Sequence, residues 1–281
     1  MRALPPLPDG CFVAGVAPSV PTWLASAWGA AGTDPAAGSV LPDSALVLVG
    51  SDARAWGAFV GDLARDPAGL TGERNPFDAW VRRSLLAAGW GVYPHAWCDG
   101  ASPLDFVAIA GACGCHARGL HGLLLDPERG PWWAIRGVFV VAVGAVDAVR
   151  AVDAVGSGGG AADPCGACIA AHAGASPPCA AACPGRVIAR HDVTAAGGRA
   201  GWALDGRACA RFHVTDSACA SGCAARVACP LGARWRYPPE AIAYHANRKS
   251  GRSALRARLG LPAGADPFEG EGPDWAAWAG G

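Results

Sequence analysis

Apolar positions along this chain follow two rhythms. The run SALVLVG, Ser44 to Gly50, is continuous, of strand length and closed by Gly-Ser-Asp, so Ser51 or Asp52 is placed to cap a following helix. In ARAWGAFVGDLARD the apolar residues Trp56, Phe59, Val60 and Leu63 recur at helical spacing. The stretch NPFDAW predicts a second helix, with Asn75 as cap and Pro76 at its first position, turning Phe77, Trp80, Val81, Leu85 and Leu86 inward. VYPHAW reads as a strand, and SPLDFVAIAGACG as a helix beginning at Ser102-Pro103.

LHGLLLD and IRGVFVVAVG read as two buried strands around the turn PERGP, where Pro127, Gly130 and Pro131 supply the turn chemistry. VGSGGGAADP is a linker by composition. Helical spacing returns in PPEAIAYHANR and SALRARLGLP, and ADPFEGEGPDWAAWAGG reads as a loose, partly docked end. No repeat of fixed period is present. Strand, helix and mixed runs alternate, which indicates an α/β or α+β protein, and the expected class is α+β. The expected domains are a core over 1–155, a cysteine-rich segment over 156–232 and a helical segment over 233–281 that packs on the core.

With 281 residues, 52% hydrophobic and 16% charged, the chain has enough apolar material for a buried core. Lys plus Arg and Asp plus Glu both number 23, so nothing electrostatic points to nucleic acid or to a membrane surface as partner. Pro5, Pro6, Pro8 and Asp9 interrupt any signal-peptide core, and Asp147 and Arg150 break the longest apolar run, GVFVVAVGAVDAVRAV. The expectation is a cytoplasmic protein. In that reducing compartment its 12 cysteines point to metal or redox chemistry rather than disulfides.

Eight of those cysteines lie between Cys165 and Cys229. DPCGACIAAHAGASPPCAAACPG carries Cys165, Cys168, Cys179 and Cys183. CARFHVTDSACASGCAARVACPLG carries Cys209, Cys219, Cys223 and Cys229. Both groups end in Cys-Pro. In bacterial ferredoxins C-x2-C-x2-C-x3-C-P binds 4Fe-4S clusters, and its fourth cysteine ligates the other cluster. Here C-x2-C and C-x3-C-P are kept, but the loop AAHAGASPP replaces the tight middle spacer. Two 4Fe-4S clusters are the first reading. One cluster, a four-thiolate zinc site, or cysteines acting as small buried hydrophobes stay open. Cys11 and Cys98 suit the last reading. Cys113 and Cys115, with His116 and His121 nearby in sequence, are either metal or cofactor contacts or ordinary core and loop residues. His172, inside the inserted loop, is a substitute cluster ligand or a plain loop residue. His95, His213 and His245 read as surface or hydrogen-bonded histidines.

Three stretches carry a family resemblance. LVLVGSDARAWGAFVGDL with NPFDAWVRRSL is similar to the strand–helix–helix opening of the CblC proteins, which process cobalamin. LHGLLLDPERGPWWAIRGVFVV resembles their most characteristic run, and RYPPEAIAYHANRKSGRSALRARLGLP their C-terminal helix. Together they cover a little over a quarter of the chain, in the family's order. The cysteine segment resembles that of epoxyqueuosine reductases and reductive dehalogenases, which join a related corrinoid-binding core to two ferredoxin-like clusters; Cys209 takes the place of their lone cysteine.

The resemblance implies a nitroreductase-like, CblC-like mixed core with an inserted ferredoxin-like segment. It implies cobalamin as ligand, with a flavin as the other cofactor open to such a core. Trp132 and Trp133 become candidate walls of a corrinoid cleft, and Arg136 the residue that in CblC proteins helps hold the glutathione co-substrate. Asp126 stands where the family has the His of a His-Pro pair; a carboxylate accepts hydrogen bonds or supplies a proton, but cannot copy a neutral imidazole. Asp126 and Arg136 are the candidate catalytic residues. The tryptophans also read as core, and Arg136 as half of a buried ion pair.

The expected function is a corrinoid reductase that reduces cobalamin or removes its upper ligand. Its electrons come through the clusters from a reduced flavoprotein or ferredoxin. The alternatives are a non-catalytic electron carrier or corrinoid chaperone, and a cobalamin-dependent reductase of another substrate. The chain has no Gly-Trp-Ile-Gly-Lys stretch like that of the epoxyqueuosine reductases, no phosphate loop and no Ser nucleophile elbow.

Overall fold

The computed structural model describes residues 4–30, 43–98, 104–115, 117–145, 163–190, 201–215, 219, 222–246 and 248–268. The chain is an α+β protein of helices and antiparallel sheets. Its internal contacts divide it into two units. One comprises Met1–His116 with Trp133–Gly159, the other Ala117–Trp132 with Gly160–Gly281. The change of composition near 156 lies close to the division at Gly159, whereas 117–132 and the C-terminal helices group with the cysteines.

The first unit is built on a four-stranded antiparallel sheet in the order β1-β2-β4-β3. Its strands are β1 (Cys11–Ala17), β2 (Ser44–Ser51), β3 (His95–Trp97) and β4 (Ala134–Ala142). All eight residues of β2 are buried, so both of its faces are covered. That explains a continuous apolar run instead of alternation. Leu48 of β2 pairs with Val138 of β4.

Helix α1 (Thr22–Ala30) follows β1, and helix α2 (Ala53–Arg65) starts at Asp52, whose carboxylate accepts the Arg54 N–H at 3.0 Å. It buries Trp56, Phe59, Val60 and Leu63 as its spacing predicts. After the short α3 (Ala68–Thr71), α4 (Pro76–Ala87) begins at Asn75-Pro76 and buries Phe77, Trp80, Val81 and Leu85. Leu86 departs from the expectation: it is 40% exposed, because the buried stripe ends one position earlier. Phe77 and Trp80 stack at 6.0 Å, and Phe59 meets Phe77 edge-on at 5.2 Å. These contacts join α2 and α4 in one aromatic layer. VYPHAW supplies only the three residues of β3, after a 3-10 turn at Trp90–Val92. Helix α5 (Phe106–Ala112) is capped by Asp105 rather than begun at Ser102, which lies outside the described residues.

In the second unit, LHGLLLD forms no strand. Only isolated bridges join Arg118 with Leu124 and Asp126 with Gly130. Gly122, at φ +81°, turns the run, and Leu120 and Leu125 enter a local apolar cluster instead. That cluster also contains Cys165, Cys179, Ala180, Ile188, Trp202 and Ala225. Around it lie α6 (Pro164–Ala171), α7 (Pro178–Ala182), the hairpin β5 (Ile188–Arg190) with β6 (Trp202–Leu204), α8 (Gly206–Thr215) and α9 (Ala224–Val227). Helices α10 (Pro239–Ala246) and α11 (Arg248–Arg258) follow and pack on each other. Arg252 is tied to Asp266 in a buried pair at 2.5 Å, so the chain stays docked at least to that residue. The tail from 269 lies outside the described residues.

Candidate metal centre

The cysteines of the two motifs are not grouped by motif. Cys165, Cys168, Cys179 and Cys229 line one cavity together with Leu120, His121, Ile169, Pro177, Pro230 and Leu231. Three of these thiols come from the first motif and the fourth from the end of the second. All are free thiols.

Local rules account for the arrangement. Asp163 accepts the Cys165 N–H at 3.1 Å and Pro164 occupies the first turn, so α6 begins where it sets Cys165 and Cys168 three residues apart on one face. Cys179 sits in the first turn of α7, which ends at Ala182. Cys183 then takes an extended backbone, φ −70° and ψ 112°. The cause is Pro184: a residue before proline is driven out of the helical region. Had the helix continued, Cys183 would share the face of Cys179, four residues earlier.

Cys183 turns to the second group instead. Its thiol and that of Cys223 both act electrostatically on Cys209, whose pKa burial raises first and these neighbours raise further. Asp205 caps α8 by accepting the Ala208 N–H at 2.9 Å, placing Cys209 one turn in. Gly185 permits the approach, since a Cβ there would lie 2.8 Å from the Phe212 ring of α8. Cys223 is the N-cap residue of α9, which packs on α7. Cys219 is half-buried. Cys229 thus lies with thiols of the first motif, and Cys183, which also packs against the apolar cluster, acts on a thiol of the second.

The groups differ in environment. In the first, Cys165, Cys179 and Cys229 are buried and Cys168 half-buried; in the second, Cys183, Cys209 and Cys219 are half-buried and Cys223 is exposed. Burial, then the thiols of Cys165 and Cys229, push Cys179 up to about 11. Burial also raises Cys229 and Cys168. Thiols so raised are neutral when nothing is bound, and a cationic iron centre reverses that by favouring the thiolate.

Cys229 is held by two facing turns. Asp126 and Gly130 exchange both backbone hydrogen bonds, at 2.9 and 2.8 Å, and the Asp126 carboxylate accepts the N–H groups of Glu128 and Arg129. A Cβ at Gly130 would lie 2.4 Å from the Leu231 carbonyl oxygen, and one at Gly232 2.0 Å from that of Arg129. Only glycines allow this approach, and both have positive φ, +57° and +63°. Arg226 adds two donors to the Pro131 carbonyl, at 3.1 and 2.7 Å, while its guanidinium lies over Trp132 and Tyr237. Nothing in its spacing singles Arg226 out in the sequence.

The remaining sequence candidates are engaged by the fold. Asp126 shapes the turn just described. Trp132 is fully buried beneath Arg226 and edge-on to Tyr237 at 5.9 Å. Trp133 is 6% exposed, against Phe12 and the bare backbone of Gly50. Arg136 is 7% exposed; it donates to Ser51 Oγ and Asp78, each at 2.7 Å, and lies over Phe77. Each keeps one buried donor with no partner among the described residues: Nε1 of Trp132, Nε1 of Trp133 and Nη2 of Arg136. The two indoles belong to different units.

Cys113 and Cys115 belong to the first unit and His121 to the second; His116 lies outside the described residues. Burial pushes Cys113 up to about 12 and Cys11 to about 11. His172 Nδ1 lies 2.8 Å from the carbonyl of Cys168 and 4.0 Å from its sulfur. His121 is 9% exposed, and burial, then Arg226, lower its pKa to about 4. Its place at the thiol cavity is a feature that sequence proximity to Cys113 and Cys115 misdirects.

Among the described residues no group of three or more His, Cys, Asp or Glu side chains stands ready around a single metal ion, and no helix is long and apolar enough to cross a membrane. No family model, curated protein or solved structure matches this chain.

Proposed function

We propose that this chain is a two-cluster iron–sulfur reductase of corrinoids, with Cys165, Cys168, Cys179 and Cys229 holding one 4Fe-4S cluster and Cys183, Cys209, Cys219 and Cys223 the other. The observation that supports it is the crossed grouping of thiols. A cubane presents four irons, each needing one thiolate, and the four thiols around the apolar cavity match that donor set. Bound there, the clusters supply one-electron reducing power in a range that reaches about −700 mV.

The chain's own residues do the rest. Leu120, Ile169 and Leu231 keep water from the first group of thiols. The paired turns at Asp126–Gly130 and Leu231–Gly232 fix Cys229 beside thiols some fifty residues away or more in sequence (Cys179 to Cys229). On this reading the core is nitroreductase-like and CblC-like, as the three matching sequence stretches suggest. Trp132 and Trp133 do not offer flat walls, since their rings are buried. Within the first unit, Trp133 and Arg136 suit a ligand through their unpartnered N–H groups, with Arg136 Nη2 the group for a carboxylate. The reaction class is one-electron reduction of cobalamin, an upper ligand where present leaving as its anion. The electron comes from a reduced flavoprotein or ferredoxin.

A second reading is a carrier that passes electrons without turning over a corrinoid. The burial of both indole rings favours it. One experiment separates the readings. Protein purified without oxygen is assayed for iron, acid-labile sulfide and zinc, then titrated with cob(II)alamin while its visible spectrum is followed. About eight irons and eight sulfides per chain, with a shifted corrinoid spectrum, are expected. Iron and sulfide without a corrinoid shift leaves the carrier, and zinc without sulfide overturns both.

A further inference from the structure

His121 is the polar side chain in the lining of the first thiol cavity, beside Leu120 and Leu231. Its Nδ1 accepts the backbone N–H of Leu123 at 3.3 Å. An accepting Nδ1 carries no proton, so the ring is the tautomer with its proton on Nε2. That Nε2 is buried and has no hydrogen-bond partner among the described residues. A buried donor left without an acceptor is destabilising, so its place calls for a partner that the described residues do not supply.

The ring is held where it is by the backbone. A Cβ on Gly119 would lie 2.4 Å from Cε1 of His121 and 2.7 Å from Nε2, so only glycine leaves room for it. Gly122, at φ +81°, turns the chain directly after the histidine. The rest of the cavity wall is aliphatic, proline or cysteine, and the acceptors that a bound cluster would bring there are its sulfurs.

We infer that His121 donates its Nε2–H to a sulfur of the cluster held by Cys165, Cys168, Cys179 and Cys229, and so sets that cluster at a higher reduction potential than it would otherwise have. A hydrogen bond to sulfur stabilises the more negative, reduced state more than the oxidised one, and thereby raises the potential. No corresponding buried histidine donor stands at the group of Cys183, Cys209 and Cys223 among the described residues. The inference rests on the cluster reading and deepens it: the two clusters become electronically unequal through one imidazole.

The test compares anaerobically reconstituted full-length protein with its His121→Met and His121→Gln variants, by potentiometric titration followed by electron paramagnetic resonance. Two reduction steps are expected in the unchanged protein. In His121→Met one step moves to more negative potential and the other stays in place. In His121→Gln, whose amide keeps an N–H in the same region, the moved step returns most of the way. Clusters present in all three proteins with both steps unmoved would overturn the inference alone. Unchanged protein that takes up no iron and sulfide would overturn it together with the reading beneath it.

A second measurement covers a His121→Met chain that fails to fold. Protein carrying His172→Ala, labelled with 15N-histidine, is examined by pulsed electron paramagnetic resonance in the reduced state. A 15N coupling to one cluster is expected from His121. Such a coupling is assignable because His172, the other imidazole near these thiols among the described residues, has been removed, and its absence would sink the inference.

Discussion

The two thiol groups of the second unit share one chain rule and differ in what surrounds them. In both, a Cys-Pro step swings the last cysteine of one motif to the other group. The first group then sits inside the unit's apolar cluster, with Cys165 and Cys179 among its members. The second lies nearer the surface, with Cys223 exposed at the start of a four-residue helix. The difference teaches that ligation and folding are separable here. The first group is part of the core and bears on stability whether or not anything is bound, while the second contributes less to the core.

The sharpest way to break that comparison is to remove one thiol from each group. Cys229→Ser is expected to take bound iron from about eight to about four per chain, and also to lower the denaturation midpoint of the protein without iron. Cys223→Ser is expected to remove a similar amount of iron and leave that midpoint unchanged. Iron assay with urea denaturation reads both, and equal midpoints would remove the distinction.

Thiol reactivity provides the next largest effect. In protein without iron, Cys223 is expected to react with iodoacetamide first, as the exposed thiol, and the buried Cys113 of the first unit to be a slow reference. Cys113 is neutral below about 12, so its rate should climb about tenfold per pH unit from pH 8 upward and level off only near that value. Peptide mass spectrometry at several pH values follows each site. A Cys113 rate that levels off near pH 9 would contradict its burial.

The turns that seat Cys229 are open to a smaller test. Gly232→Ala places a Cβ 2.0 Å from a carbonyl oxygen at a positive φ and should cost about 2 kcal/mol or more. Gly206→Ala, at the start of the helix that carries Cys209, meets nothing within 4 Å and should change stability by less than about 1 kcal/mol. Urea denaturation of the iron-free variants gives both numbers. A cost at Gly206 matching that at Gly232 would show that the second group is packed as tightly as the first.

Much of the first unit was legible along the chain. The strand at Ser44–Ser51, the Asp52 cap, the buried stripe of α2 and the Asn75-Pro76 start of α4 follow from local chemistry, which acts over a few residues. LHGLLLD was misread as a strand because an apolar run says that a segment is buried, not how; Gly122 and the cluster around Cys165 made it a turn and an irregular packing element. Trp132 and Trp133, adjacent in sequence and read there as one pair of walls, fall in different units with different neighbours.

The sequence by itself determined which residues carry chemistry: eight cysteines in two motifs, each closed by proline, and the turn glycines that flank them. It also determined that α7 stops before Cys183, since the clash of a proline ring with the preceding residue is a local effect that operates in any fold. Only the tertiary structure decided that the group joined by Cys229 is the buried one, that Arg226 and two glycine turns seat it, and that His121 stands in its wall with an unpartnered N–H. Those facts depend on contacts between residues some fifty to more than one hundred positions apart (His121 and Cys229, for example), and no pattern in a short window encodes such contacts.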